Sequence, residues 1–162
     1  MISVEAKALR AKLAEALVQL SGTEENPVSV EEMRGLYGLF AGNATEPDSV
    51  TWTEVDAGGV PAIWADAEGS ATDRVVQYVH GGGYVIGNAH HYKRLTGHIA
   101  KAVGCRVLSV DYRLAPEHPH PAPVEDSATA YRWLLAQGYD STHLAISGDS
   151  AGGGLTLATL LA

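Results

Sequence analysis

Thr142-His143-Leu144-Ala145-Ile146-Ser147-Gly148-Asp149-Ser150-Ala151-Gly152 is the stretch whose reading decides the fold of this chain. A β-rich run ends at Ser147, a helical run continues as Leu155-Thr156-Leu157-Ala158-Thr159-Leu160-Leu161, and a Gly-x-Ser-x-Gly lies between them. A strand-to-helix turn that tight needs glycines at both flanks, since a Cβ there would clash, and it pushes the serine hydroxyl out over the end of the sheet. The stretch reads as a nucleophile elbow: Ser150 is the candidate nucleophile, supported by Gly148, Asp149 and Gly152.

Upstream, β-rich runs recur at 50–55, 60–65, 74–79 and 106–112. Asp56-Ala57-Gly58-Gly59 between the first two is a turn signal and predicts an antiparallel hairpin. The later runs are nearly continuous in apolar residues and alternate with helical patterns at 91–103 and 124–137, which predicts βαβ units and a parallel sheet covered on both faces. At the N-terminus Ile2, Ala6, Leu9, Leu13, Leu17 and Leu20 recur at helical spacing up to Gly22, and such a stripe has to be buried against something. Ser29 and Glu32 have the spacing of a capping box ahead of Val30, Met33, Tyr37 and Phe40, a second stripe weakened by Gly35 and Gly38. The expected architecture is therefore α/β, with two helices (1–45) before a core (46–162) made of a hairpin and a mostly parallel sheet.

His80-Gly81-Gly82-Gly83-Tyr84 follows directly on the third run. Three consecutive glycines cost backbone entropy, so they imply positive φ or a close approach by backbone N–H groups. A phosphate loop fails on spacing: no Gly-Lys-Ser/Thr is present, and the sixth position of a Gly-x-Gly-x-x-Gly counted from Gly81 is Ile86. Acyl transfer needs both a nucleophile and N–H donors aimed at the developing oxyanion. Gly81, Gly82 or Gly83 and the N–H of Ala151 are the candidate donors, with His80 part of the same turn.

Composition closes off other classes. The 162 residues are 46% apolar and 19% charged, ordinary for one globular domain. Eleven Lys+Arg against 19 Asp+Glu leave a net charge of −8, which repels nucleic acid and anionic lipid surfaces. Cys105 lies in an apolar run and reads as a small core residue. None of the His pairs has a metal-ligand spacing, and no apolar run reaches the roughly 18 residues of a membrane span. The N-terminus carries no basic-then-apolar leader pattern, so a cytoplasmic protein is expected.

Three motifs together resemble the hormone-sensitive lipase family of α/β-hydrolases: His80-Gly81-Gly82-Gly83-Tyr84; Asp111-Tyr112-Arg113-Leu114-Ala115-Pro116-Glu117 with Pro121-Ala122 and Asp126; and Gly148-Asp149-Ser150-Ala151-Gly152-Gly153. The resemblance covers most of the chain from about Val50. Gly154 stands where the family often has Asn, and His120 where it often has an aromatic or apolar residue. It implies an α/β-hydrolase fold, a carboxylic ester hydrolase acting on a small-molecule ester, a cap to which the two N-terminal helices contribute, and no cofactor. The middle motif reads as structural: Asp111 and Arg113 satisfy backbone and each other where the chain leaves the sheet, and the prolines stiffen the crossover.

A serine becomes a strong nucleophile only when a histidine takes its proton and a carboxylate holds that histidine, in chain order Ser, acid, His in this fold. Residues 151–162 contain neither, the seven histidines all precede Ser150, and Asp149 is poorly placed to orient a base. The expectation is therefore the N-terminal half of a longer esterase, truncated after the elbow and close to inactive alone, with an exposed strand edge prone to aggregation. The alternatives are a receptor-like ligand-binding member of the same fold or a truncated product without function. Acyl chain, alcohol group and oligomeric state are left open.

Overall fold

Capping fixes the first elements of the computed structural model, which describes residues 3–23, 27–41 and 44–162. Helix α1 (Val4–Ser21) starts where Ser3 Oγ accepts the N–H of Ala6 at 3.1 Å and ends at Gly22, φ 58°. The expected capping box opens α2 (Val30–Ala41): Glu32 N–H donates to Ser29 Oγ at 3.2 Å, while Ser29 N–H donates back to Glu32 Oε2 at 2.8 Å. Ser29→Ala is expected to cost about 1 kcal/mol, read as a lower midpoint in urea unfolding. The stripe of α1 is a correction. Leu9 and Leu13 are exposed, because among the described residues α1 packs chiefly on α2 rather than on the sheet. Ile2 and the side chains of Leu17, Leu20 and Phe40 lie outside the described residues.

The strands are β1 (Val50–Asp56), β2 (Pro61–Ala67), β3 (Ala71–Val79), β4 (Cys105–Val110) and β5 (Leu144–Gly148). They form one mixed sheet in the order β1-β2-β4-β3-β5. The predicted hairpin is β1–β2; β4, β3 and β5 run parallel as predicted, and β2 meets β4 antiparallel. Strand boundaries move by up to three residues from the sequence expectation, and two of the shifts have a local cause. Strand β3 begins three residues early, with a register shift before Val75 that its exposed polar residues hide. Ser141–His143 is a 3₁₀ turn rather than strand, because Asp140 Oδ1 accepts both the N–H and the hydroxyl of Thr142, at 2.8 and 2.6 Å.

Helix α3 (Lys93–Val103) covers one face of the sheet; α4 (Ala122–Ala136) and α5 (Ala151–Leu161) cover the other. The two-residue alternation of the strands feeds both layers. Val75 and Val79 of β3 and Leu108 and Val110 of β4 pack with Leu134 of α4 and Leu155 of α5. Tyr78 and Val107 face the opposite way, toward Ala100 of α3. Cys105 is buried, as expected of a core residue. Among the described residues β5 pairs only with β3 and forms the sheet's outer edge.

Candidate active site

Register brings the three motifs together. Val79 pairs with Val110 on one side and Gly148 on the other, so β3, β4 and β5 end at one level. His80-Gly81, Asp111-Tyr112 and Asp149-Ser150 therefore leave the sheet side by side, at the C-terminal ends of its parallel strands.

Ser150 occupies φ 51°, ψ −120° between β5 and α5. A non-glycine residue there is strained by about 1–3 kcal/mol, and the surrounding packing has to hold it. It is solvent-exposed, and Ala151 begins α5, so the first N–H groups of that helix lie beside the serine. No histidine among the described residues hydrogen-bonds Ser150 Oγ. His90 faces Glu54 at 3.8 Å, His98 bonds Thr45 at 3.1 Å and His143 faces Asp73 at 3.8 Å, each away from the elbow.

Asp149, expected only to support the motif, organises the site floor. Its Oδ1 accepts the Gly81 N–H at 2.9 Å and the Tyr78 hydroxyl at 2.8 Å, and its Oδ2 accepts the Tyr92 hydroxyl at 3.1 Å. Burial, reinforced by hydrogen bonding and by the negative charge of Asp149, raises the pKa of both phenols, so they remain O–H donors. Because the Gly81 N–H is committed to Asp149, Gly82 and Gly83 are left as the glycine donors with no protein acceptor among the described residues. Both have positive φ, 122° and 61°, and a Cβ on Gly82 would overlap the carbonyl oxygen of Ile86.

His80 has no solvent exposure. Its Nδ1 lies 2.7 Å from the Gly81 carbonyl and its ring stacks on Tyr112 at 4.3 Å, while the Tyr112 hydroxyl donates to the His80 carbonyl at 2.6 Å. Burial lowers its pKa and favours the neutral ring, which suits a buttress of the turn.

The middle motif is structural, with different partners from those expected. Arg113 pairs not with Asp111 but with the buried Asp126 of α4, Nη2 to Oδ1 at 2.7 Å and backbone N–H to Oδ2 at 2.8 Å. Asp111 instead accepts the Ala89 N–H at 2.9 Å. Sequence reasoning missed Tyr78 and Tyr92; the available signal was that a buried tyrosine needs a partner for its hydroxyl. Among the described residues no group of three His, Cys, Asp or Glu is arranged to hold a metal, and no helix is long and apolar enough to cross a membrane.

Comparison with known proteins agrees with this geometry. The alpha/beta hydrolase fold family matches residues 76–162. The chain is similar to an esterase from the bacterial hormone-sensitive lipase family, 43% identical with a TM-score of 0.85 over 99% of this chain and 52% of that one. A hormone-sensitive lipase from a metagenome library is 36% identical, with a TM-score of 0.82 over 94% of this chain and 51% of that one. The ethyl acetate hydrolase of Pseudomonas putida is 37% identical over 134 residues, which are 76% of this chain and 42% of that protein. The chain thus spans about half the length of the relatives it matches. With the glycine turn, the Arg113–Asp126 bend and the elbow in one place and in this order, the chain belongs to the hormone-sensitive lipase family of the alpha/beta hydrolase fold.

Proposed function

We propose that the chain is the nucleophile-bearing half of a serine carboxylic ester hydrolase that acts on esters of small or medium acyl groups. Ser150 attacks the ester carbonyl, and the N–H groups of Gly82, Gly83 and Ala151 hold the oxyanion that forms. A histidine takes the serine proton and passes it to the departing alcohol; water then releases the acid and restores Ser150. That histidine and its carboxylate partner come from sequence beyond this chain, a reading supported by its spanning 42% of the Pseudomonas putida relative. The single observation that carries the proposal is Ser150 in its positive-φ turn, φ 51°, beside glycine N–H groups with no protein acceptor among the described residues. The relative's name, ethyl acetate hydrolase, supports a small acyl group.

Helices α1 and α2, residues 1–45, are read as part of a cap on the 46–162 core, in a cytoplasmic enzyme. The experiment is covalent labelling of the full-length protein with a fluorophosphonate. The expected result is a single phosphonyl adduct on the peptide containing Ser150. An unlabelled Ser150 beside a folded protein overturns the proposal in favour of a ligand-binding member of the fold.

A further inference from the structure

We propose that α2 is a brace that aims the oxyanion turn, and that Arg34 is the positioning residue through which it acts. The inference rests on the esterase reading above. Arg34 lies one turn into α2, and its planar fork joins two loops distant in sequence. Its Nε donates to the Val85 carbonyl at 2.9 Å and its Nη2 to the Ala115 carbonyl at 3.1 Å. Its Nη1 and Nη2 also grip the two carboxylate oxygens of Glu117 at 2.8 and 2.7 Å. Arg34 holds the Glu117 carboxyl down to a pKa of about 2, so the grip persists at any pH where an esterase works.

The lever from Val85 to the site is short. Val85 N–H and Ile86 N–H both donate to the Gly82 carbonyl, at 3.1 and 3.0 Å, and Ala115 N–H donates to the Tyr84 carbonyl at 2.8 Å. The Gly82 carbonyl and the Gly83 N–H share one planar trans peptide and point in opposite directions. Holding that carbonyl therefore aims the Gly83 N–H. Glycines at φ 122° and 61° have no Cβ to restrict them, so the aim has to be imposed from outside, and Arg34 imposes it by fixing Val85 and Ala115 together.

The same face of α2 reaches the other end of the turn. Tyr37, three residues beyond Arg34, places its hydroxyl 2.6 Å from that of Tyr92, which donates to Asp149, the acceptor for the Gly81 N–H. One helix thus fixes the turn at Gly81 and at Val85.

The test uses the full-length enzyme with Arg34→Ala, Arg34→Lys and Ser150→Ala. Misaiming one oxyanion donor is expected to lower kcat by about 10- to 100-fold with KM within about twofold, and to slow fluorophosphonate labelling of Ser150 in parallel. Arg34→Lys keeps the charge but not the fork, so it is expected to stay folded and lose about 10-fold in kcat. If Ser150→Ala is inactive while folded Arg34→Lys keeps its kcat, or only its KM or thermal midpoint moves, the brace is wrong and the esterase reading stands. If Ser150→Ala keeps full activity, both readings fall.

Discussion

Ser150→Ala is expected, on the proposed esterase reading, to lower kcat of the full-length protein by about 10⁴- to 10⁶-fold and to leave its thermal midpoint unchanged. The two parts of that expectation have separate causes. Removing Oγ removes the group proposed to form the acyl bond, and what remains is the contribution of the N–H donors and of substrate binding. Alanine keeps the Cβ, so the backbone strain at φ 51° is the same before and after. Ser150→Gly separates the terms further. It is equally inactive, but it relieves strain of about 1–3 kcal/mol and gives back about 0.5–1 kcal/mol in extra chain entropy. The glycine variant is therefore expected to unfold about 1 kcal/mol harder than wild type in urea. Activity surviving in Ser150→Ala would remove Ser150 from the chemistry. A glycine variant less stable than the alanine one would mean that the elbow is not strained.

The contrast between what was readable and what was not follows the range of each interaction. The elbow and the glycine turn were legible because their constraints are local: Ser150 needs small neighbours, and a run of three glycines needs a reason. The hairpin and the parallel β4-β3-β5 group were legible from turn chemistry and from apolar runs separated by helices. The Arg34–Glu117 pair was not, because its partners are separated by 83 positions and nothing local distinguishes Arg34 from any other arginine on an amphipathic helix. Arg113 shows the opposite error. A nearby carboxylate, Asp111, was the obvious partner by sequence, yet Asp111 is taken by the Ala89 N–H and the fold supplies Asp126, buried in α4, for an ion pair with several hydrogen bonds. The role of Asp149 was underread for a similar reason: its donors, Tyr78, Tyr92 and Gly81, lie on segments far upstream and meet it only through the register of β3 against β5 and the seating of the start of α3.

Gly152→Val is expected to abolish folding of the full-length protein, read as loss from the soluble fraction and loss of fluorophosphonate labelling together. The reason lies in how closely α5 seats on the end of β3. A Cβ at Gly152 would overlap the Val79 carbonyl oxygen and stand 2.7 Å from the His80 carbonyl oxygen. Both obstacles are backbone, fixed by the sheet ladder and by the Tyr112 hydroxyl on His80, so no side chain can swing aside. Even alanine forces α5 off β3, which separates Leu155 from the core it fills and tilts the Ser150–Ala151 N-terminus away from the glycine turn. Such overpacking against backbone exceeds the 1–3 kcal/mol of an ordinary core insertion and approaches the 5–15 kcal/mol by which domains are stable. Gly153 provides the control one residue on. A Cβ there meets only the Gly148 carbonyl oxygen at 3.6 Å, an ordinary contact, and alanine favours the helix by about 0.5–1 kcal/mol. Gly153→Ala is therefore expected to be folded, labelled and slightly more stable. If both variants behaved alike, the requirement at Gly152 would be one of helix propensity, and the seating of the elbow on Val79 and His80 would not be what holds Ser150 in place.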